Sequence, residues 1–234
     1  MNPEYNEGEK IRQEKAQKSS LRKDACLWDS VAMVSEVAAS PYSSVAKIGR
    51  TWFRFRGFFP VPLFLLLVIL PPNFTPNLFQ TLAALTGILL SEALRIWSVG
   101  YAGSATRTRG DSVPQLIHAG PYRYVRNPLY VANIVMYTCA GVAFGFSGLS
   151  VLIFLVSAVE YIFIVAFEEE TLLRIFGSAY DNYCEKVPRW FPSSTPKVEA
   201  TEHCFSMERA LRSERSTFLA LSMMAVLLIL KKAF

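Results

Sequence analysis

The sequence predicts an all-α fold, a polytopic membrane bundle of four to five transmembrane helices. Hydrophobic residues make up 52% of the 234 residues and charged residues only 18%, whereas charged residues are roughly 25% of an ordinary soluble domain. The apolar residues are also gathered into runs that approach the length needed to cross a bilayer. The basic residues lie beside these runs rather than in a polar domain of their own.

Four apolar segments are predicted to span the membrane, at about residues 52–70, 78–101, 129–146 and 149–167. The first has a short apolar core, FFPVPLFLLLVIL, so the aromatic residues before it must help to cross the bilayer. The short turn SG between the last two spans implies an antiparallel helical hairpin. A fifth apolar run, residues 217–230, is short for a span. We interpret it as a fifth span, with an interfacial helix or a helix packed on the bundle as alternatives.

The polar ends of the chain predict three regions. Residues 1–50 are interpreted as a cytoplasmic tail, and the apolar spacing from Leu27 to Ala38 indicates either an amphipathic helix on the membrane or a loosely ordered helix. No signal peptide is predicted, because the charged start is not followed by a short apolar core and a cleavage site. Residues 51–192 are predicted to form the membrane domain. Residues 193–234 form a C-terminal extension with a short apolar helix.

The basic residues predict the orientation of the bundle. The net charge is +5 at pH 7, but the lysines and arginines flank apolar spans, as the positive-inside rule and anionic lipid headgroups produce. All of those near the first four spans fall on one side, which the rule assigns to the cytoplasm, whereas a fifth span would place Lys231 and Lys232 on the other side. We therefore predict a multi-pass membrane protein that contacts membrane lipids and has no nucleic-acid partner. The residues concerned are Lys47, Arg50, Arg54, Arg56, Arg107, Arg109, Arg123 and Arg126.

The cysteines and histidines predict neither a metal site nor a disulfide framework. No CxxC pair is present, and a zinc site needs clustered ligands at short spacing. The residues concerned are Cys26, Cys139, Cys184, Cys204, His118 and His203.

Three charged residues inside the predicted spans are candidates for a functional or structural role. Glu92 and Arg95 are one helical turn apart and can pair on one face of the second span. Glu160 lies near the middle of the fourth span, where we expect it to face the bundle interior and meet a tyrosine hydroxyl or Arg95. Each could be structural or part of a pocket.

Two stretches carry an unusual density of polar and aromatic residues. HAGPYRYVRNPLY, residues 118–130, directly precedes the third span. FEEETLLRIFGSAYDNYCEKVPRWFP, residues 167–192, directly follows the fourth, and its helical spacing predicts a cytoplasmic amphipathic helix. Its three glutamates need a cationic partner near an anionic membrane surface, either Arg123 or Arg126 or a positively charged ligand. The apolar stripe of that helix is Leu172, Phe176, Tyr180 and Tyr183.

Together the two stretches resemble the isoprenylcysteine carboxyl methyltransferase and phospholipid methyltransferase superfamily. Its members typically read GPYRxVRHPxY at the first place and EExxLxxxFGxxYxxYxxxVPR at the second. The resemblance covers about residues 78–192, and it includes the helical hairpin between the two motifs. VGYAG, residues 99–103, is loosely similar to a glycine-containing element of the phospholipid methyltransferases.

The resemblance implies an integral membrane enzyme that binds S-adenosylmethionine near the cytoplasmic face. A glutamate suits the ammonium of that cofactor, and Arg126 or His118 suits its carboxylate, through charge-assisted hydrogen bonds. By the same resemblance Arg126, Glu169 and Arg189 would act in catalysis. The residues that would bind the cofactor are His118, Gly120, Tyr122, Arg126, Asn127, Tyr130, Glu168 and Glu169.

The resemblance leaves the methyl acceptor open. A lipophilic or lipid-linked carboxyl group is preferred, because the EEE run and the VPR ending are more similar to the carboxyl methyltransferases. The alternatives are a phospholipid or small-amine N-methyltransferase, an NADPH-dependent sterol-type reductase and a non-catalytic membrane paralogue. Asn127 replaces the usual histidine of the first motif, and asparagine can hydrogen-bond but cannot titrate. We therefore interpret this position as one that orients the cofactor or caps backbone groups.

Overall fold

The chain forms a bundle of α-helices, seen in a computed structural model that describes residues 41–103, 115–200 and 204–233. These residues contain seven α-helices, one short 3₁₀ helix and no strand, which confirms the predicted all-α class. The predicted tail helix from Leu27, together with Arg107 and Arg109, lies outside the described residues. The elements are α1 (Ser44–Phe55), α2 (Pro60–Ile69), α3 (Leu78–Ala102), the 3₁₀ helix (Gly120–Arg123), α4 (Pro128–Ala143), α5 (Ser147–Phe176), α6 (Ser178–Lys186) and α7 (Met207–Ala233).

Three of the described helices are long and apolar enough to cross a membrane: α3, α5 and the Met207–Lys231 part of α7. α1 and α2 make a fourth candidate if they count as one span, although they are bent by 59°. The first predicted span, about residues 52–70, therefore contains a bend. Pro60 begins α2 and has no backbone N–H to donate to the preceding turn, so the chain bends there. α4 is apolar but shorter, and it packs between α3 and α5.

The C-terminal helix is longer than the apolar run of residues 217–230 suggested. α7 begins ten residues before the apolar run, so the helix is 25 residues long up to Lys231, long enough for a span. It lies along the bundle from one end to the other. At its start Ser206 N donates to Gly100 O at 3.1 Å, and at its end Lys231 Nζ donates to Leu67 O at 2.6 Å and Leu70 O at 2.5 Å.

Close helix packing depends on small residues, as is usual in membranes. A Cβ at Gly49 would lie 1.9 Å from Phe163 O, and a Cβ at Gly141 would lie 2.5 Å from Ser150 Oγ. These positions let α1 and α4 approach α5. The predicted hairpin of α4 and α5 is present, and the loop after α2 is tied to its turn by Asn73 N, which donates to Gly145 O at 3.0 Å.

The predicted separate amphipathic helix after the fourth span is wrong in its boundaries. α5 continues without a break to Phe176, and Gly177 then adopts φ 52°, a left-handed conformation that favours glycine and ends the helix. α6 follows as a distinct short helix. The apolar stripe nevertheless converges as predicted, because one hydrophobic cluster gathers Leu172, Phe176, Tyr180 and Tyr183.

Candidate active site

A cavity of about 480 Å³ brings the two sequence motifs together. Its volume is within the range of roughly 300–1,000 Å³ that small-molecule sites occupy. The α1–α2 bend and helices α3, α4, α5, α6 and α7 all contribute to its walls. Of the predicted site residues, those that line it are Tyr122, Arg126, Asn127, Tyr130, Glu168 and Glu169.

The two motifs are joined by direct hydrogen bonds. Arg126 N donates to Pro188 O at 2.9 Å, and Tyr183 OH donates to Tyr122 O at 2.8 Å. Asn127 Nδ2 donates to Arg189 O at 3.3 Å. The backbone of the VPR segment therefore holds the loop before α4 against α6, and the cavity lies between these elements.

Glu169 is the centre of an ion-pair cluster. Its Oε1 lies 3.1 Å from Arg126 Nη1 and accepts a hydrogen bond from Arg189 Nε at 3.1 Å, and Arg189 Nη2 pairs with its Oε2. The carboxylate is buried, whereas the Arg189 side chain is about half exposed. All three residues predicted to act in catalysis thus meet at one point, where one carboxylate holds two guanidinium groups in place.

The charge state around this cluster follows from burial and from Glu169. Burial works to lower the pKa of the Arg126 guanidinium, but Glu169, Cys184 and Tyr180 together outweigh it, and the pKa is raised. Burial raises the pKa values of the Tyr180 and Tyr183 hydroxyls and of the Cys184 thiol. Arg126 therefore stays cationic at neutral pH, while its neighbours on α6 stay protonated.

The three consecutive glutamates have three different environments. Glu168 faces the cavity and accepts a hydrogen bond from Tyr130 OH at 2.7 Å. Glu170 instead accepts from Ser43 and from Arg174, at 2.7 Å in each case, and it does not line the cavity. Arg123, the other predicted partner, donates to Val198 O at 2.8 Å. Glu168 is thus the glutamate placed to receive a positively charged group in the cavity.

Two predicted cofactor ligands lie outside the lining of the cavity. His118 Nδ1 lies 2.9 Å from Glu199 O. Gly120 has φ +57°, and a Cβ there would lie 2.3 Å from the ring of Tyr101. Glycine is therefore required at this position by the turn and by its contact with the VGYAG segment. The predicted roles of His118 and Gly120 in cofactor binding stay predictions.

The cavity lining also contains polar residues of α4 and α5 that neither sequence motif includes. Asn133 and Tyr137 follow Tyr130 along the cavity face of α4, and Tyr161 faces them from α5. The spacing of Tyr130, Asn133 and Tyr137 along an otherwise apolar helix was the available signal. Arg95 and Glu214 also line this part of the cavity.

The charged residues inside the spans behave differently from one another. Glu92 and Arg95 form the predicted pair at 3.4 Å. Glu160 is 1% exposed, and neither of its carboxylate oxygens has a hydrogen-bond partner among the described residues. Among the described residues, neither a tyrosine hydroxyl nor Arg95 therefore donates the expected hydrogen bond to Glu160.

One family of known proteins matches the middle of the chain, which supplies much of the cavity lining. Residues 79–179 match the family model described as phospholipid methyltransferase. That range covers most of α3, the first motif, α4, α5 and the start of α6. The match confirms the resemblance predicted from the two motifs.

One curated relative aligns with part of the chain. The nickel-cobalt-cadmium resistance protein NccN of Alcaligenes xylosoxydans xylosoxydans is 28% identical over 106 residues, which are 45% of this chain and 46% of the relative. The chain thus spans about half the length of this curated relative. No solved structure matches the chain. Within the described ranges, no group of three or more His, Cys, Asp or Glu side chains is arranged to hold a metal ion.

Replacing Asn127 with histidine is expected to leave methyl transfer within about two-fold of the wild type. The asparagine side chain donates one hydrogen bond to Arg189 O, and an imidazole N–H can replace that bond. Replacing Asn127 with leucine removes the donor and is expected to lower activity about ten-fold, because the partly buried hydrogen bond that holds the VPR segment against the first motif is lost. The two variants are compared by initial rates of labelled methyl transfer. Equal rates for both variants would show that this hydrogen bond does not affect the reaction.

Proposed function

We propose that the chain transfers the methyl group of S-adenosylmethionine to a lipophilic acceptor at the membrane surface. The observation that carries this proposal is the cavity itself. It lies within the bundle beside both motifs. Its lining includes the carboxylate of Glu168 and the guanidinium of Arg126, which Glu169 holds in place.

The lining residues fit the charges of this cofactor. S-adenosylmethionine carries an ammonium, a sulfonium and a carboxylate. Glu168 suits the ammonium, and Arg126 suits the carboxylate, through charge-assisted hydrogen bonds. Tyr122, Tyr180 and Tyr183 add aromatic surface to the same end of the cavity, which suits a ring system such as adenine. When bound, the cofactor supplies an electrophilic methyl group.

The protein's part in the reaction is mainly to position the two reactants. Methyl transfer is an in-line displacement, for which alignment at roughly 3–3.5 Å between the reacting atoms supplies much of the rate enhancement. The hydrogen bonds between the motifs hold the cavity walls together beside Tyr122 and Arg126. A carboxylate acceptor needs no base, whereas an amine acceptor must first lose a proton.

We propose a lipophilic carboxyl group as the acceptor, with a phospholipid or small amine as the alternative. The support for the carboxyl group is that the EEE run and the VPR ending are more similar to the carboxyl methyltransferases. We further propose that the cavity opens towards the cytoplasm, because the exposed Lys47, Arg50 and Arg54 of α1 are on the side that the positive-inside rule assigns there.

The proposal is tested by incubating the purified full chain in lipid nanodiscs with S-adenosylmethionine labelled in its methyl group. Two acceptors are supplied, S-farnesyl-N-acetylcysteine as a lipophilic carboxylic acid and phosphatidylethanolamine as an amine. We expect labelled lipid-soluble product, with base-labile label if a methyl ester has formed and base-stable label if nitrogen is methylated. Absence of transfer to both acceptors, together with binding of NADPH in place of S-adenosylmethionine, would contradict the proposal.

A further inference from the structure

A second buried ion pair, of Arg95 with Glu214, lies in the cavity lining, in the part that we call its inner end. Arg95 Nη2 on α3 pairs with Glu214 Oε2 on α7 at 2.6 Å, and the same Nη2 lies 3.2 Å from Thr217 Oγ1. Arg95 Nη1 also donates to Asn133 Oδ1 on α4. Three helices therefore meet at one guanidinium group.

Glu214 comes from a part of the chain that the family model does not cover. It is 2% exposed, yet only 6% of the most apolar window of α7 is buried inside the bundle. Met224, Leu227 and Leu228 of α7 pack against the hydrophobic cluster around Phe144. The polar contact of Glu214 with Arg95 adds a second fixed point, beside the cavity.

The cluster connects to the proposed cofactor end through the wall of the cavity. Asn133 Nδ2 donates to Tyr161 OH at 3.0 Å, and the ring of Tyr161 stacks on Tyr130 with 4.7 Å between centroids. Tyr130 in turn donates to Glu168. A chain of hydrogen bonds and one ring stack thus joins lining residues from Glu214 to Glu168.

A purely hydrocarbon ligand would not need such a wall. Desolvating a guanidinium and a carboxylate inside a membrane protein costs free energy, and such groups usually face a cavity or a pathway. The inner end of this cavity offers amide, hydroxyl and guanidinium groups to a ligand. An acceptor with a polar head on an apolar body matches that lining.

We propose that α7 completes the acceptor site and that Glu214 is its positioning residue. Glu214 holds Arg95 and, through it, Asn133 in the geometry that receives the polar head of the acceptor. This inference rests on the proposed function and adds the acceptor end of the site to it.

The test compares Glu214→Gln with the wild type in nanodiscs, using labelled S-adenosylmethionine and the two acceptors named above. Glutamine loses the charge but keeps the shape, and Arg95 keeps Glu92 as a partner at 3.4 Å. We expect the KM for the acceptor to rise about ten-fold, as expected when one hydrogen bond between charged groups is lost. The Kd for S-adenosylmethionine should stay within about two-fold, because Glu168 and Arg126 are untouched.

Two further variants separate positioning from stability. Glu208→Gln removes an exposed ion pair with Arg212 on the same helix and should change neither constant. Thr217→Val removes only the hydroxyl that binds Glu214 and Arg95, so it should raise the acceptor KM by a smaller factor. A purely structural role would instead lower the melting temperature and weaken cofactor binding in parallel.

The outcomes distinguish the two proposals. An unchanged acceptor KM in Glu214→Gln, with an active wild type, overturns the role of Glu214 alone. A parallel loss of cofactor affinity and thermal stability overturns it as well. A wild-type protein that binds no S-adenosylmethionine and methylates neither acceptor overturns the proposed function, and this inference with it.

Discussion

Replacing Glu169 with glutamine is expected to weaken S-adenosylmethionine binding about 100-fold, while the protein still inserts and folds. Glu169 holds Arg126 and Arg189 together. Without its charge the two guanidinium groups repel each other, and Arg126 loses its fixed orientation at the cavity. A displaced Arg126 no longer binds the cofactor carboxylate, and loss of a hydrogen bond between charged groups costs up to about 3 kcal/mol, which corresponds to roughly that factor in Kd. Calorimetric titration of the cofactor in detergent measures the change.

The neighbouring Glu170→Gln variant is the matched control. Glu170 is one residue away on the same helix, but it binds Ser43 and Arg174 outside the cavity. We expect its Kd to equal that of the wild type within about two-fold. If Glu169→Gln and Glu170→Gln bind the cofactor equally well, Glu169 has no part in the site.

Replacing Glu168 with glutamine is expected to have a comparable effect for a different reason. In the proposed complex this carboxylate receives the ammonium of the cofactor directly, so its loss leaves a cation without a partner. A charged hydrogen bond and the associated desolvation amount to about 2–3 kcal/mol, or a 30–100-fold higher Kd. Unlike Glu169→Gln, the variant should leave the Arg126–Glu169 pair intact.

Tyr130→Phe separates the charge of Glu168 from its orientation. The variant removes the hydroxyl that donates to Glu168 at 2.7 Å but keeps the ring that stacks on Tyr161. We expect an intermediate loss of affinity of about five-fold.

An analogue of the cofactor that lacks the ammonium group should bind the wild type and Glu168→Gln equally. Weaker binding of this analogue to Glu168→Gln than to the wild type would assign Glu168 another role.

The sequence predicted the elements near the motifs well, because their signals are local. The apolar runs determine α3, α4 and α5, and the spacing of Leu172, Phe176, Tyr180 and Tyr183 predicted their common cluster. The glutamate run predicted a cationic partner, either Arg123 or Arg126 or a ligand. Arg126 is that partner for Glu169. These inferences required only periodicity and charge balance.

Long-range contacts were beyond the reach of the sequence. The ion pair of Arg95 with Glu214 joins residues 119 positions apart, and no local pattern indicates which helix face α7 presents. The bend at Pro60 and the helix end at Gly177 depend on backbone conformation, which proline and glycine permit but do not impose. Such features depend on how the helices pack, so a motif alone does not contain them.

Calorimetric titration of S-adenosylmethionine into the full chain is the most direct test of the cavity as a cofactor site. The wild type is expected to give saturable binding with one site per chain, and both Glu168→Gln and Glu169→Gln should shift the isotherm to much higher cofactor concentrations. The proposed cofactor site would be contradicted by a wild-type protein that gives no saturable binding up to millimolar cofactor, or by equal affinities of the wild type, Glu168→Gln and Glu169→Gln.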